Sequence, residues 1–394
     1  MMLICSLIMD VPSELSKKSI RLATLNISFQ HLIKGLVMYT TTYNVSTVNQ
    51  FKFGKSLCAL AVCISLGVMA PAHALLINLT STGNSNADTG FQLAANFWQS
   101  IFTDNIIMNV TAGFAELAPG ILGEANSTYF DTTYSAMKTA LSNDSKSADD
   151  AVMVAGLSAG PTYSKLINNG GSAHLQTGIS TMNMTRSNAK ALGLVASSST
   201  VEDVAITFSS RFSFDFDQTD GISAGFYDFV GIAIHELGHG MGFTSGVDIF
   251  DLNFSGGFSD AQYNPFATVL DFTRCSAASK AAGADMDWTA NNNAKDFAID
   301  GNCTPLVSNA WSTGVSQGDG RQASHWKDNA GIGIMDPTAE PKGNLNVVTL
   351  LDTQALDVIG WDLRAQVVPE PNSLLLMLMG LFGIHVARRR PSIV

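Results

Sequence analysis

Residues 227 to 245 read YDFVGIAIHELGHGMGFTS. The stretch is apolar, lacks proline and is long enough for four turns, so it reads as a buried helix. Asp228 stands where an N-cap belongs, and Gly242 where a left-handed turn would end the helix. Four residues apart, His235 and His239 share a face, and each can turn a ring nitrogen to one metal ion. Glu236 lies about 100° further round the axis, beside that metal rather than on it. Gly238 and Gly240 leave room for close packing behind the helix.

Two imidazoles and a neighbouring carboxylate suit hydrolytic zinc chemistry. Zinc lowers the pKa of a bound water towards ~7 and polarises a carbonyl, while a glutamate takes the proton and returns it to the leaving amine. A catalytic zinc has three protein ligands and one open position. In the compact arrangement His-Glu-x-x-His-x-x-Gly-x-x-His the third ligand would fall on Ser245, a poor one. The search therefore moves outward. No glutamate lies between Glu236 and Glu340, which disfavours a glutamate ligand on a following helix. Asp248, Asp251, Asp260 and Asp271 stay open for an aspartate-type site. Among histidines, His174 lies in GGSAHLQTG without supporting context. His325 lies in RQASHWKDNAGIGIMDPTAE, ten residues before Met335. His385 falls in the C-terminal tail.

Both ends read as processing segments. Lys52 and Lys55 precede the apolar run LCALAVCISLGVMA, and PAHA follows, so residues 51–74 read as a secretory signal cut after Ala74. Residues 1–50 then read as a mis-assigned or extended N-terminus, with translation starting nearer Met38. At the other end, 367–394 contains VPEPNSLLLMLMGLFGIHVARRR. Its apolar run is short for a span of ~20 residues and ends in three arginines, which makes a marginal membrane anchor. Between these ends, residues 75–366 read as one catalytic domain.

That domain holds 30 of the 33 acidic side chains and 13 of the 22 basic ones, a formal charge of −17. Nucleic acid is disfavoured as a partner, and a solvated acidic face is the plain reading of the excess. FDFDQTDG (214–221) brings Asp215, Asp217 and Asp220 close in sequence. A calcium ion is the sharper reading, but the spacing completes no EF-hand loop, which favours a solvated turn. Only Cys275 and Cys303 remain in the domain. An even pair in an exported chain favours one disulfide, with two free thiols as the alternative. The absence of cysteine between 75 and 235 excludes a thiolate latch on the metal from an N-terminal propeptide.

Along the domain, helical spacing marks 89–102, 134–141, 148–157 and 187–194, and strand patterns mark 105–115 and 201–210. LAPGILG (117–123) reads as a turn. Residues 244–345 are rich in Gly, Asn, Asp and Ser and read as ordered loops, before a last helix over 347–361 that ends at Gly360.

The order HELGHGMGF, long insertion, SHW, GIMDP and TLLDTQALDVIGWDL resembles the leishmanolysin-like metzincins. The resemblance implies an α+β, two-lobed zincin fold. Its N-terminal lobe would hold a twisted mixed sheet and the metal helix, and its C-terminal lobe would be loop-rich, with a methionine turn and a final helix. It further implies that His235, His239 and His325 bind Zn2+, that Glu236 is the general base, and that Met335 is the turn methionine. Asp336, Pro337 and Thr338 follow that turn, so the tyrosine that some metzincins place there has no counterpart. The Pro369-Glu370-Pro371 tail resembles PEP-CTERM sorting segments, which implies processing by an exosortase-type enzyme. The expected function is an exported zinc endopeptidase acting on protein or peptide along an edge strand of the sheet. A non-proteolytic surface or matrix protein with a structural or vestigial zinc site is the competing class. Intact Glu236 and a missing fourth ligand weigh against it.

Overall fold

The computed structural model describes the backbone of Ile4–Ile8 and residues 75–365 other than Ser255. The expected secretory signal, its cut after Ala74 and the tail from 367 lie outside the described residues. Among the described residues no helix is long and apolar enough to cross a membrane.

A mixed five-stranded sheet organises the first half. Its order is Ile4–Ile8, Ile121–Ser127, Val204–Ser209, Ile107–Ala115 and Leu76–Leu79. The last three run parallel, Ile121–Ser127 runs antiparallel beside them, and Ile4–Ile8 adds antiparallel at the outside. Met108, Val110 and Ala112 alternate into the core, as do Val204, Ile206 and Phe208. The helix Ser85–Ile101 buries Ala87, Phe91, Ala94 and Trp98, one helical stripe. It starts four residues before the expected position, because the Asn84 side chain accepts from Asn86 N and Ala87 N and so caps it earlier. Phe91 meets Phe208 and Phe229 edge-on at 5.2 and 5.4 Å, joining helix, sheet and the helix Phe229–Met241 in one core.

The expected turn at 117–123 gives way to the strand Ile121–Ser127. Its inward residues are Gly123, Ala125 and Ser127, too small to show an apolar alternation. The long-range antiparallel pair Tyr129–Thr133 with Thr181–Thr185, and the hairpin Tyr163–Ile167 with His174–Ile179, carry no clear alternation in the sequence.

Beyond Phe243 the chain is loop-rich, as expected, but carries short helices at Val247–Leu252, Asp260–Tyr263 and Ala277–Ala282. Phe243, Phe297, Trp311 and Trp326 form its aromatic centre, with Trp311 stacked on Trp326 at 4.3 Å. Cys275 and Cys303 are disulfide-bonded. The final helix is shorter than its pattern, Leu350–Asp357, and Gly360 takes a left-handed φ of 106° just after it. Trp361 Nε1 then donates to Met241 O at 2.8 Å, tying the end of the domain to the end of the histidine helix. The architecture is mixed α+β, with several small sheets beside the main one.

Candidate metal centre

The helix Phe229–Met241 forms where the sequence places it, and every residue in it is buried. Asp228 caps it by accepting from Gly231 N at 2.9 Å. Gly242 ends it with a φ of 117°, which an L side chain rarely adopts. The two glycines inside the motif let the helix sit close to its neighbours. A Cβ at Gly240 would meet Met108 Cε at 2.6 Å, and one at Gly238 would meet Met335 Sδ at 2.7 Å. Met335 therefore lies directly against the helix, between the turns that carry His235 and His239.

His325 arrives from the loop half and completes a cluster. His239 Nε2 stands 3.0 Å from His235 Nε2 and 3.1 Å from His325 Nε2. All three residues are buried. Each Nδ1 faces a carbonyl oxygen: Ile334 O at 2.7 Å for His235, Phe243 O at 2.7 Å for His239, and Gln322 O at 3.3 Å for His325. A carbonyl can only accept, so each Nδ1 carries the proton and each Nε2 presents a lone pair. Burial pushes His235 down to about 4 and holds His239 and His325 well below the usual imidazole range. Three neutral rings bring their lone-pair nitrogens within 4.8 Å of one another, an arrangement that a cation stabilises. On a tetrahedral zinc with bonds of about 2.05 Å, ligand nitrogens stand about 3.3 Å apart. The donor set thus fits zinc in atom type, spacing and tautomer, with Ile334 and Phe243 carbonyls orienting the rings.

Glu236 is fully buried beside the cluster. A Cβ on Gly123 would lie 3.2 Å from Glu236 Oε1, so the carboxylate rests against the strand Ile121–Ser127. Ser127 Oγ on that strand donates to His239 O at 3.3 Å. This strand, missed in the sequence, forms one wall of the centre.

Among the described residues, His235, His239 and His325 form the only group of three metal-type ligands close enough to share an ion. The other candidates are placed elsewhere. His174 lies exposed and pairs with Asp260 at 2.7 Å. Asp248 accepts from Ala323 N and Ser324 N, and Asp251 from Ser316 N and Gln317 N. Asp271 accepts from Ser245 Oγ, Gly246 N, Thr268 N and Trp288 Nε1. Burial pushes Asp248 up to about 7, against the pull of its donors and of Arg274. Asp215 and Asp217 accept from nearby backbone N–H groups of Asp217, Ser223 and Thr219, as turn-capping carboxylates do.

Asp352 has a role at the centre that apolar spacing does not announce. Its carboxylate accepts from Trp326 Nε1, Ile334 N, Met335 N and Thr349 N. It joins the methionine turn and the residue after His325 to the last helix. The capping spacing Thr349-x-x-Asp352 was the available signal, because such a carboxylate reaches back to a backbone N–H.

Comparison with known proteins bears on the tail. Residues 367–390 match the family model of the PEP-CTERM protein-sorting motif. The chain is accordingly an exported protein, processed at its C-terminus and attached to the cell envelope or released. No curated protein and no solved structure matches the chain.

Proposed function

We propose that this protein is an exported zinc endopeptidase of metzincin type, with His235, His239 and His325 as ligands and Glu236 as general base. The observation that carries the reading is the convergence of three Nε2 atoms beside a buried glutamate that rests against the strand Ile121–Ser127. Zinc bound there would supply water of lowered pKa and a Lewis acid for the scissile carbonyl. Glu236 takes the proton of the attacking water and returns it to the leaving amine, so no acyl-enzyme forms. Met335 packs beneath the site as the turn methionine, and no side chain after it supplies a phenol to the oxyanion.

The substrate lies extended along Ile121–Ser127. Ile4–Ile8 illustrates the pairing, with Ser6 opposite Glu124 and Leu7 opposite Gly123, the residue against Glu236. Cleavage after Ala74 would detach that segment and open the edge to another peptide. The tail holds the protein at the membrane until an exosortase-type enzyme removes it.

Glu236→Gln should keep zinc within a few-fold of wild-type affinity and lose hydrolysis by about 10²–10⁴-fold. A casein digest with and without chelator, beside metal analysis, measures both. Unchanged cleavage by zinc-loaded Glu236→Gln would sink the mechanism. Complete burial of Glu236 and the three histidines favours a second reading, a structural zinc in a surface protein. Zinc-loaded wild type that cleaves nothing in the same digest would select it.

A further inference from the structure

Ser245 occupies the place of the third ligand in the compact motif, yet it touches the residue before the histidine that replaces it. Its backbone N–H donates to Ser324 Oγ at 2.8 Å. Ser324 Oγ in turn donates to Asp248 Oδ2. Asp248 also accepts from Ala323 N at 2.5 Å and Ser324 N at 3.1 Å. The side chain of Ser245 points away, with Oγ donating to Asp271 at 2.5 Å. Asp251, one turn beyond Asp248 on Val247–Leu252, grips the same loop at Ser316 N and Gln317 N, both at 2.7 Å. Ser245, Asp248, Asp251 and Ser324 are all buried, so these bonds form out of competition with water.

His325 needs such support more than its partners do. The two helical histidines have Nδ1 bonds of 2.7 Å and inherit their spacing from the helix, whereas the His325 bond is 3.3 Å and its residue rides a loop. We propose that Asp248 is a positioning residue for the third ligand, and that it sets the place of His325 through Ser324 and the Ser245 backbone. The proposal rests on the metal-centre reading. Displacement of the third ligand from position 245 is thus matched by reuse of position 245 as part of the clasp that seats it.

The test uses the whole protein, titrated with Co2+ as a zinc probe, in wild type, Asp248→Asn, Ser324→Ala and Ser324→Thr. Removing a support behind a ligand costs about 10–100-fold in metal affinity. Asp248→Asn and Ser324→Ala should show that loss and altered visible d–d bands, while Ser324→Thr, which keeps the hydroxyl, stays within a few-fold of wild type. Amide exchange at 323–325 in the metal-free protein should quicken in the first two variants. Ser324→Ala leaves Asp248 its two backbone donors, so it keeps the test open if Asp248→Asn does not fold. Quickened exchange with unchanged Co2+ affinity and bands overturns the positioning role, and unchanged exchange overturns the clasp itself. Wild type that binds no Co2+ overturns the metal-centre reading instead.

Discussion

His239 and His325 bring nitrogens to within 3.1 Å of each other from halves built on different principles. From residue 75 to 242 the backbone satisfies itself in a sheet and long helices, and side-chain period decides who faces whom. From 243 to 345 the elements are short, and buried aspartates replace the missing ladders. Asp248, Asp251 and Asp352 each accept two backbone N–H groups from distant loops, and Asp271 accepts one from Gly246 beside that of nearby Thr268. A buried N–H without a partner is costly, so a carboxylate that takes several of them fixes a loop as a strand partner would. The acidity of the domain is therefore more than the solvated face its composition suggests. Part of the charge is internal scaffolding, and the loop half depends on it.

The comparison breaks most clearly at Asp352. Asp352→Ala would strand three buried N–H donors and a half-buried fourth, and should cost about 4 kcal/mol in urea unfolding. A loss of only ~1 kcal/mol, the scale of an ordinary helix N-cap, would mean that the loops hold without it. Next comes the covalent support of the same half. Cys275→Ser with Cys303→Ser opens a loop of sequence separation 28 and should lower stability by about 3.5 kcal/mol on the chain-entropy account. Wild type unfolded under reducing conditions should match the double variant, and a difference between them would point to packing rather than the bond.

The smallest effect sharpens the contrast from the sheet half. Asp104 is buried beside Asp362, whose N–H it accepts at 3.0 Å, and burial pushes its carboxyl up to about 7. Asp144 and Asp362 add repulsion, and Lys146 is the nearby cation. Since the folded value exceeds the unfolded one, the folded state holds the extra proton between about pH 4 and 7, and stability falls as pH rises through that window. Asp104→Asn should abolish this pH dependence, gaining on the order of 2 kcal/mol over wild type from pH 4 to 7. A wild-type-to-variant difference that stays flat across those pH values refutes the assignment.

Legibility followed the same divide. His235, Glu236 and His239, with Asp228 and Gly242 at the helix ends, could be read because a helix translates spacing directly into facing. His325 is legible through Met335 and the resemblance, not by period, because nothing local in a loop says which residue it meets 86 positions back. The strand Ile121–Ser127 stayed hidden since Gly123, Ala125 and Ser127 are small where they pass the helix. Asp248 looked like a possible ligand, because a sequence shows a carboxylate but not the backbone N–H groups that occupy it. Asp352 shows its cap partner Thr349 by spacing, but not the N–H groups of Trp326, Ile334 and Met335.

The disulfide, seen as chain topology, makes a ring within a ring. A metal on His239 and His325 would close a contour of 86 residues, and Cys275–Cys303 shortcuts 28 of them. Shortening the outer contour to about 60 links eases its closure by only ~0.3 kcal/mol, since that cost grows with the logarithm of length. The two closures are thus almost independent. Reduction should leave a weaker protein that still gathers its three histidines, and chelation an intact one with nothing to gather them around.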